Sequence, residues 1–168
     1  LNMPQAEPAA SDGLGKQDSS PRYWLFKQEP ESYSYDRLVA DRQTLWDGVE
    51  NALARKHLRQ VRKGDFAFFY ETGKTKAIVG VMELVTGPID DPGSEDGKGV
   101  AVRVKPVRLL NRPIGLAEIK ADPLFANWEL VRMSRLSVMP VEPKLVRHLE
   151  SLSKKKPDGS GASRPKAR

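Results

Sequence analysis

The sequence predicts an α+β domain built on a curved, mostly antiparallel sheet or barrel with short flanking helices. Three observations lead there. Strand-like apolar runs outnumber helical ones, and few links between them are long enough for parallel crossovers. The run "VAVRVKPVRLL" alternates cleanly, with Val100, Val102 and Val104 on one face and Arg103 and Lys105 on the other.

Taken in order, "YWLFK" from Tyr23 is aromatic and apolar enough for a buried strand. Ser34 is placed to cap a short helix over Tyr35–Ala40, with Asp36 suited to its positive N-terminal end. A turn carrying Trp46 follows, and Asn51 is placed to cap a second helix. Ala54, Leu58 and Val61 recur at helical spacing as its inner face, while Arg55, Arg59 and Arg62 form another stripe beside Lys56 and Lys63. "KGD" should stop this helix, with Gly64 in the left-handed position just past its end. "FAFFY" and "AIVGVMELV" read as strands joined by "ETGKTK", where Gly73 marks a hairpin turn. Asp90–Gly99 is a polar loop. "LAEIKADP" reads as a short helix and "RLSVMPV" as a last strand. Pro143 opens a final helix whose Leu145, Leu149 and Leu152 share one face.

The 168-residue chain should hold one domain over residues 22–153, between a disordered lead (1–21) and a basic disordered tail (154–168). The net charge of +6 is unevenly spread: Lys154–Arg168 carries six bases and one acid. That tail is open to reading as a localisation signal, a phosphate-binding end or a solubilising end. There is no cysteine, which excludes disulfides, a cysteine nucleophile and thiolate metal sites. No run approaches the roughly 18 apolar residues of a membrane span, and no signal-peptide core opens the chain. The expectation is a soluble intracellular monomer, cytoplasmic in a bacterium and nuclear in a eukaryote, with no membrane partner.

Catalytic material is scarce. The two histidines, His57 and His148, lie on helices without metal-ligand spacing, so no metal site is expected. Gly73, Gly80 and Gly87 form no phosphate-cradling pattern, and no cofactor is expected. Glu29, Asp47 and Glu71 each stand at a strand end or turn, where one beside Lys27 would serve as a general acid or base, or simply as a solvated acid. Binding has better material. Trp24, Trp46, Phe69 and Tyr70 alternate with Lys27, Asp47 and Asn51. Flat rings with directional polar groups suit a planar base, each stacking contact contributing roughly 1–3 kcal/mol. The same rings also suit a plain aromatic core, and the residues alone leave that choice open.

In chain order, "YWLFKQEP", "WDGVEN", "ARKHLR", "KGDFAFFY", "AIVGVMELV" and "RLSVMPV" resemble the EVE domain family over about Tyr23–Ser153. The resemblance implies a PUA-like pseudo-barrel, akin to the domains that read methylated RNA, with a pocket for a flipped and modified base. Carried over, one wall would be Trp24, Lys27, Glu29 and Pro30, and another Trp46, Asp47, Gly48, Val49 and Asn51. Phe69 and Tyr70 would approach from the hairpin, and Leu136, Ser137 and Val138 would close the site. A flat heterocycle would then slot between the indole rings, and Arg55, Arg59 and Arg62 would hold the phosphate backbone. Many members read WDGVRNYQARN, where this chain has Glu50, Ala52, Leu53 and Lys56. Many also read FFYHS, where Glu71 and Thr72 follow Tyr70 here.

The resemblance therefore implies a non-catalytic module that binds DNA or RNA carrying a modified base, such as 5-methylcytosine or a substituted adenine. Two other readings compete with it. One is a small amidohydrolase acting on modified nucleosides, with Lys27, Thr72 and Glu71 or Glu29 as its working groups. The other is a protein-interaction module whose aromatics are only core.

Overall fold

The computed structural model describes residues 20–155. The lead and tail expected at the two ends lie almost wholly outside that range. Among the described residues seven strands and five α-helices follow one another. They are β1 (Tyr23–Gln28), α1 (Tyr35–Asp41), β2 (Thr44–Trp46), α2 (Ala52–Leu58), β3 (Phe66–Glu71), β4 (Ala77–Leu84), β5 (Ile89–Asp90), β6 (Val100–Gly115), α3 (Leu116–Ala121), α4 (Glu129–Arg132), β7 (Val138–Val141) and α5 (Pro143–Lys154). A 3-10 turn at Pro123–Phe125 sits between α3 and α4.

The sheet runs β2-β6-β4-β3-β1-β7, with β5 paired to β6. Every ladder is antiparallel except β1–β3, whose crossover takes in α1, β2 and α2. The expected curved, mostly antiparallel pseudo-barrel is what forms. Its long member is β6, whose 16 residues serve β2, β4 and β5 as a common partner. Such a length requires breaks. Pro106 has no N–H to donate, and the β4–β6 register shifts around Gly80 and again between Val81 and Met82.

Tyr35 occupies the break. Its phenol oxygen lies 2.7 Å from the Val81 carbonyl and 2.9 Å from that of Arg108, donating to acceptors beside the irregular ladder. Its backbone N–H donates to Glu71 Oε2 at 2.9 Å, and its ring meets Phe69 edge-on at 5.3 Å. The ring fits only because residue 80 is glycine: a Cβ there would come 2.6 Å from two Tyr35 ring atoms.

Ser34 caps α1 through the Arg37 N–H and Asn51 caps α2 through the Ala54 N–H, as their spacing predicts. Three expectations need correction. Trp46 belongs to a three-residue strand paired with β6, and the turn begins only at Asp47. Helix α2 stops at Leu58, so Arg62 and the buried Val61 lie beyond it, and Gly64 (φ 90°) is not its cap. The reason is Asp65: its carboxylate takes the Arg62 N–H and draws the chain into a turn toward β3. The last strand starts at Val138, although Ser137 still accepts from the Lys27 N–H. The segment after α3 folds into two short helical turns around Phe125, Trp128 and Leu130, all buried.

Tyr35→Phe removes the one proton shared between these two carbonyls, of which the Val81 contact is buried, and should cost about 1–3 kcal/mol. A urea titration would measure it; an unchanged midpoint would mean that the phenol is not what satisfies the break.

Candidate nucleic-acid interface

The four rings singled out in the sequence are inside the protein. Trp24 is 2% exposed, Trp46 4%, Phe69 0% and Tyr70 3%. Side chains alternate across a strand, so Trp24 and Phe26 leave β1 on one face and Lys27 leaves it on the other. The parallel register pairs Phe26 with Phe69 and Lys27 with Tyr70. On the first face Trp46 packs against Phe26 at 5.3 Å and Phe69 at 5.4 Å. On the second, the Lys27 ammonium lies 5.7 Å from the Tyr70 ring centre.

Trp24 has its own enclosure. Its Nε1 donates to Asp65 Oδ2 at 2.9 Å, the Arg22 guanidinium lies over the ring at 5.2 Å, and His57 stands 6.4 Å away. The two indoles therefore have separate partners, and neither ring presents an open face where a flat heterocycle was expected to slot between them.

The polar members of the predicted set do reach the surface. Glu29, Asp47, Gly48 and Asn51 are exposed, and Lys27, Pro30 and Ser137 are half-buried. Val49, Leu136 and Val138 are buried beneath them. Contact between Phe26 and Trp46 brings the end of β1 beside the start of the "DGVEN" turn. The backbone bond from Lys27 N–H to Ser137 O, 2.9 Å, adds the entry to β7. Lys27 Nζ donates to the Ser134 carbonyl at 2.9 Å and has no carboxylate partner among the described residues. Burial pushes its pKa below the ordinary lysine value. Burial also holds the Tyr70 phenol up at about 12, so it stays protonated beneath that ammonium.

Glu71 does not present a hydrogen-bonding edge to a ligand. It is 3% exposed, and its carboxylate accepts from the Tyr35 N–H on the face opposite Lys27. Lys27, Thr72 and Glu71 accordingly do not converge as a nucleophile with its activators. Thr72 Oγ1 is buried without a partner.

The arginine stripe divides. Arg55 donates from Nε to the Val49 carbonyl (2.7 Å) and pairs through Nη1 with Asp96 (2.8 Å). Arg59 donates to the Lys98 carbonyl. Both are fastened to the polar loop, whose Asp91 also accepts from the Gly48 N–H at 2.9 Å. Of the three, Arg62 alone has no guanidinium partner among the described residues, because it lies beyond the end of α2. Sequence reasoning missed Asp65, Asp91 and Asp96. Asp65 stood directly before an apolar strand, where a lone acid signals a buried acceptor; the two loop acids carried no signal beyond turn composition.

Residues 22–152 match the EVE domain. The chain belongs to the EVE domain family. It is 34% identical to human thymocyte nuclear protein 1 over 170 residues, covering 80% of this chain and 75% of that protein. A crystal structure of the human protein in complex with 5-methylcytosine-containing DNA superposes with a TM-score of 0.75 at 33% identity, covering 81% of this chain and 99% of that one. An NMR structure of a Rhodopseudomonas palustris protein gives 0.74 at 37% identity, covering 79% and 92%. No helix among the described residues is long and apolar enough to cross a membrane.

His57 gives a pH signature for the wall beside Trp24. Burial pushes its pKa below the ordinary histidine value of 6.5, Lys56 adds to that, and Glu129 opposes it. The unfolded chain therefore takes up this proton first, and stability falls as the pH drops through the window below 6.5. His57→Gln should flatten the pH dependence of the denaturation midpoint between about pH 7.5 and 5. An unaltered profile would place the acid sensitivity elsewhere.

Proposed function

We propose that this EVE domain is a non-catalytic reader that accepts a flipped 5-methylcytosine from DNA. The observation that carries the reading is the likeness to human thymocyte nuclear protein 1 in its complex with 5-methylcytosine-containing DNA. The local chemistry supports it. The end of β1 (Lys27, Glu29, Pro30), the turn Asp47–Asn51 and the entry to β7 (Leu136, Ser137, Val138) adjoin one another, and in this reading they border the base.

In this arrangement Trp24, Trp46, Phe69 and Tyr70 are the supporting floor. Their burial holds the turn and strand ends rigid, which lowers the ordering cost when a ligand arrives. Lys27 supplies donors, Asp47 and Glu29 supply acceptors, and Val49 and Val138 offer apolar surface beneath. Such a set matches a pyrimidine that carries a carbonyl, an amino group and a methyl. Taking the base from its stack costs a few kcal/mol, so single-stranded, mismatched or otherwise weakened positions bind best.

The test is a titration of the 168-residue chain with oligonucleotides that differ only in cytosine or 5-methylcytosine, at fixed salt. The expected outcome is tighter binding of the methylated strand, recovered chemically unchanged. Lys27→Met should weaken it by about 10–100-fold, the loss of one charge-assisted hydrogen bond, while the thermal midpoint holds. Equal affinity for both strands would defeat the reader proposal, and turnover of a modified nucleoside would favour the amidohydrolase.

A further inference from the structure

A wide cleft lies not at the end of β1 but at its start. It has a volume of about 1080 Å³, and its lining includes Arg22, Tyr23, Arg62, Pro140, Glu142 and Arg147. Small-molecule sites usually span about 300–1000 Å³ and enclose their ligand. This one is larger and open, a form suited to a chain that passes through.

Its charge is specific. Arg22 is engaged in building the floor, with its guanidinium over Trp24 and donating to the Gln60 carbonyl. Arg62 and Arg147 have no ion-pair or hydrogen-bond partner for their guanidinium groups among the described residues. The one acid in the lining, Glu142, has Lys144 at 3.9 Å. Two unpaired guanidiniums thus face the cleft across a surface of tyrosine and proline. By contrast, Arg55 and Arg59 already satisfy Asp96 and the Lys98 carbonyl, so a phosphate there would have to displace an existing partner.

The position also fits. Tyr23 and Lys27 lie four residues apart on β1, about 13 Å at the rise of a strand. One strand of B-DNA presents a phosphate every ~3.4 Å along its axis, so about four phosphates span that distance.

We infer that this cleft is the track for the sugar-phosphate backbone of the strand whose base is read at the other end of β1, with Arg62 and Arg147 as phosphate ligands. The inference rests on the reader proposal, and it moves the backbone contact from the α2 stripe to the junction of β1, β7 and α5.

The experiment measures binding of a 5-methylcytosine oligonucleotide over a salt series, for the full chain and for a variant with Arg62→Gln and Arg147→Gln. Losing two phosphate contacts should lower the slope of log affinity against log salt by about 1.8 on duplex DNA, or about 1.4 on a single strand. Preference for the methylated base should persist, and a variant with Arg62→Lys and Arg147→Lys should keep the slope. Contributions from the basic residues after Ser153 cancel between variants, and circular dichroism melting checks the fold. A slope within about 0.3 of the parent, with the methyl preference intact, would overturn the track and leave the reader standing. An unchanged slope with loss of polyglutamate binding would assign the cleft to an acidic protein segment and overturn it too. Absence of methyl preference in the parent chain would overturn both.

Discussion

A slipped ladder needs something to satisfy it, and in this fold that is one phenol. Because β6 must serve several partners, it cannot keep a single register with β4. The irregularity leaves backbone acceptors beside Gly80 and Val81, and an unpaired buried carbonyl is costly. Tyr35 reaches them from the first turn of α1, through the space that glycine leaves at residue 80. Its own N–H is held by Glu71, so α1 is pinned to β3, β4 and β6 at once. That fixes where the chain leaving β1 must go. Glu29 closes a turn by accepting from the Ser32 and Tyr33 N–H groups, and Ser34 then caps the helix. The strand end that borders the proposed base site is thus set by a residue that never touches it.

Much of this was legible. Apolar runs, and in β6 a period-two alternation, located the strands except β2 and β5, and the side chains of Ser34 and Asn51 announced the helix starts at the residues where they occur. What escaped depends on contacts between segments distant in sequence. No local pattern tells that Asp65 will draw Trp24, Arg22 and the turn after α2 to one carboxylate, 41 residues from the indole. For the same reason the length of β6 was underestimated: its partners are separate strands, each unremarkable alone. The four rings were singled out from their pattern, but whether they formed a wall or a core was left open, and all four are buried. A tryptophan at a strand end reads alike as wall or floor until its neighbours are known.

The arginines teach the same lesson in charge. A helical stripe of three looked like one electrostatic feature. The structure divides it by what each side chain can reach. Arg55 and Arg59 face an acidic loop that returns some 40 residues later, and they spend their donors there. Arg62 falls past the end of the helix and escapes it. Counting bases on a helix measures formal charge, whereas attraction for a phosphate depends on guanidiniums not already neutralised. Here the free ones come from the turn after α2 and from α5, elements remote in sequence that meet at one end of β1.

Lys27 completes that line of charge. A half-buried ammonium held only by a carbonyl and an aromatic face is an expensive way to fill a strand end, since burial disfavours its charged form. An apolar residue of similar length would pack there without desolvation. The cost becomes intelligible if the ammonium is completed by a ligand: a base carbonyl or a phosphate oxygen would supply the acceptor that the protein withholds. On the proposed reading, a cation without a carboxylate partner among the described residues at the end of β1 and two more at its start would serve one purpose, to receive an anionic chain passing over the strand.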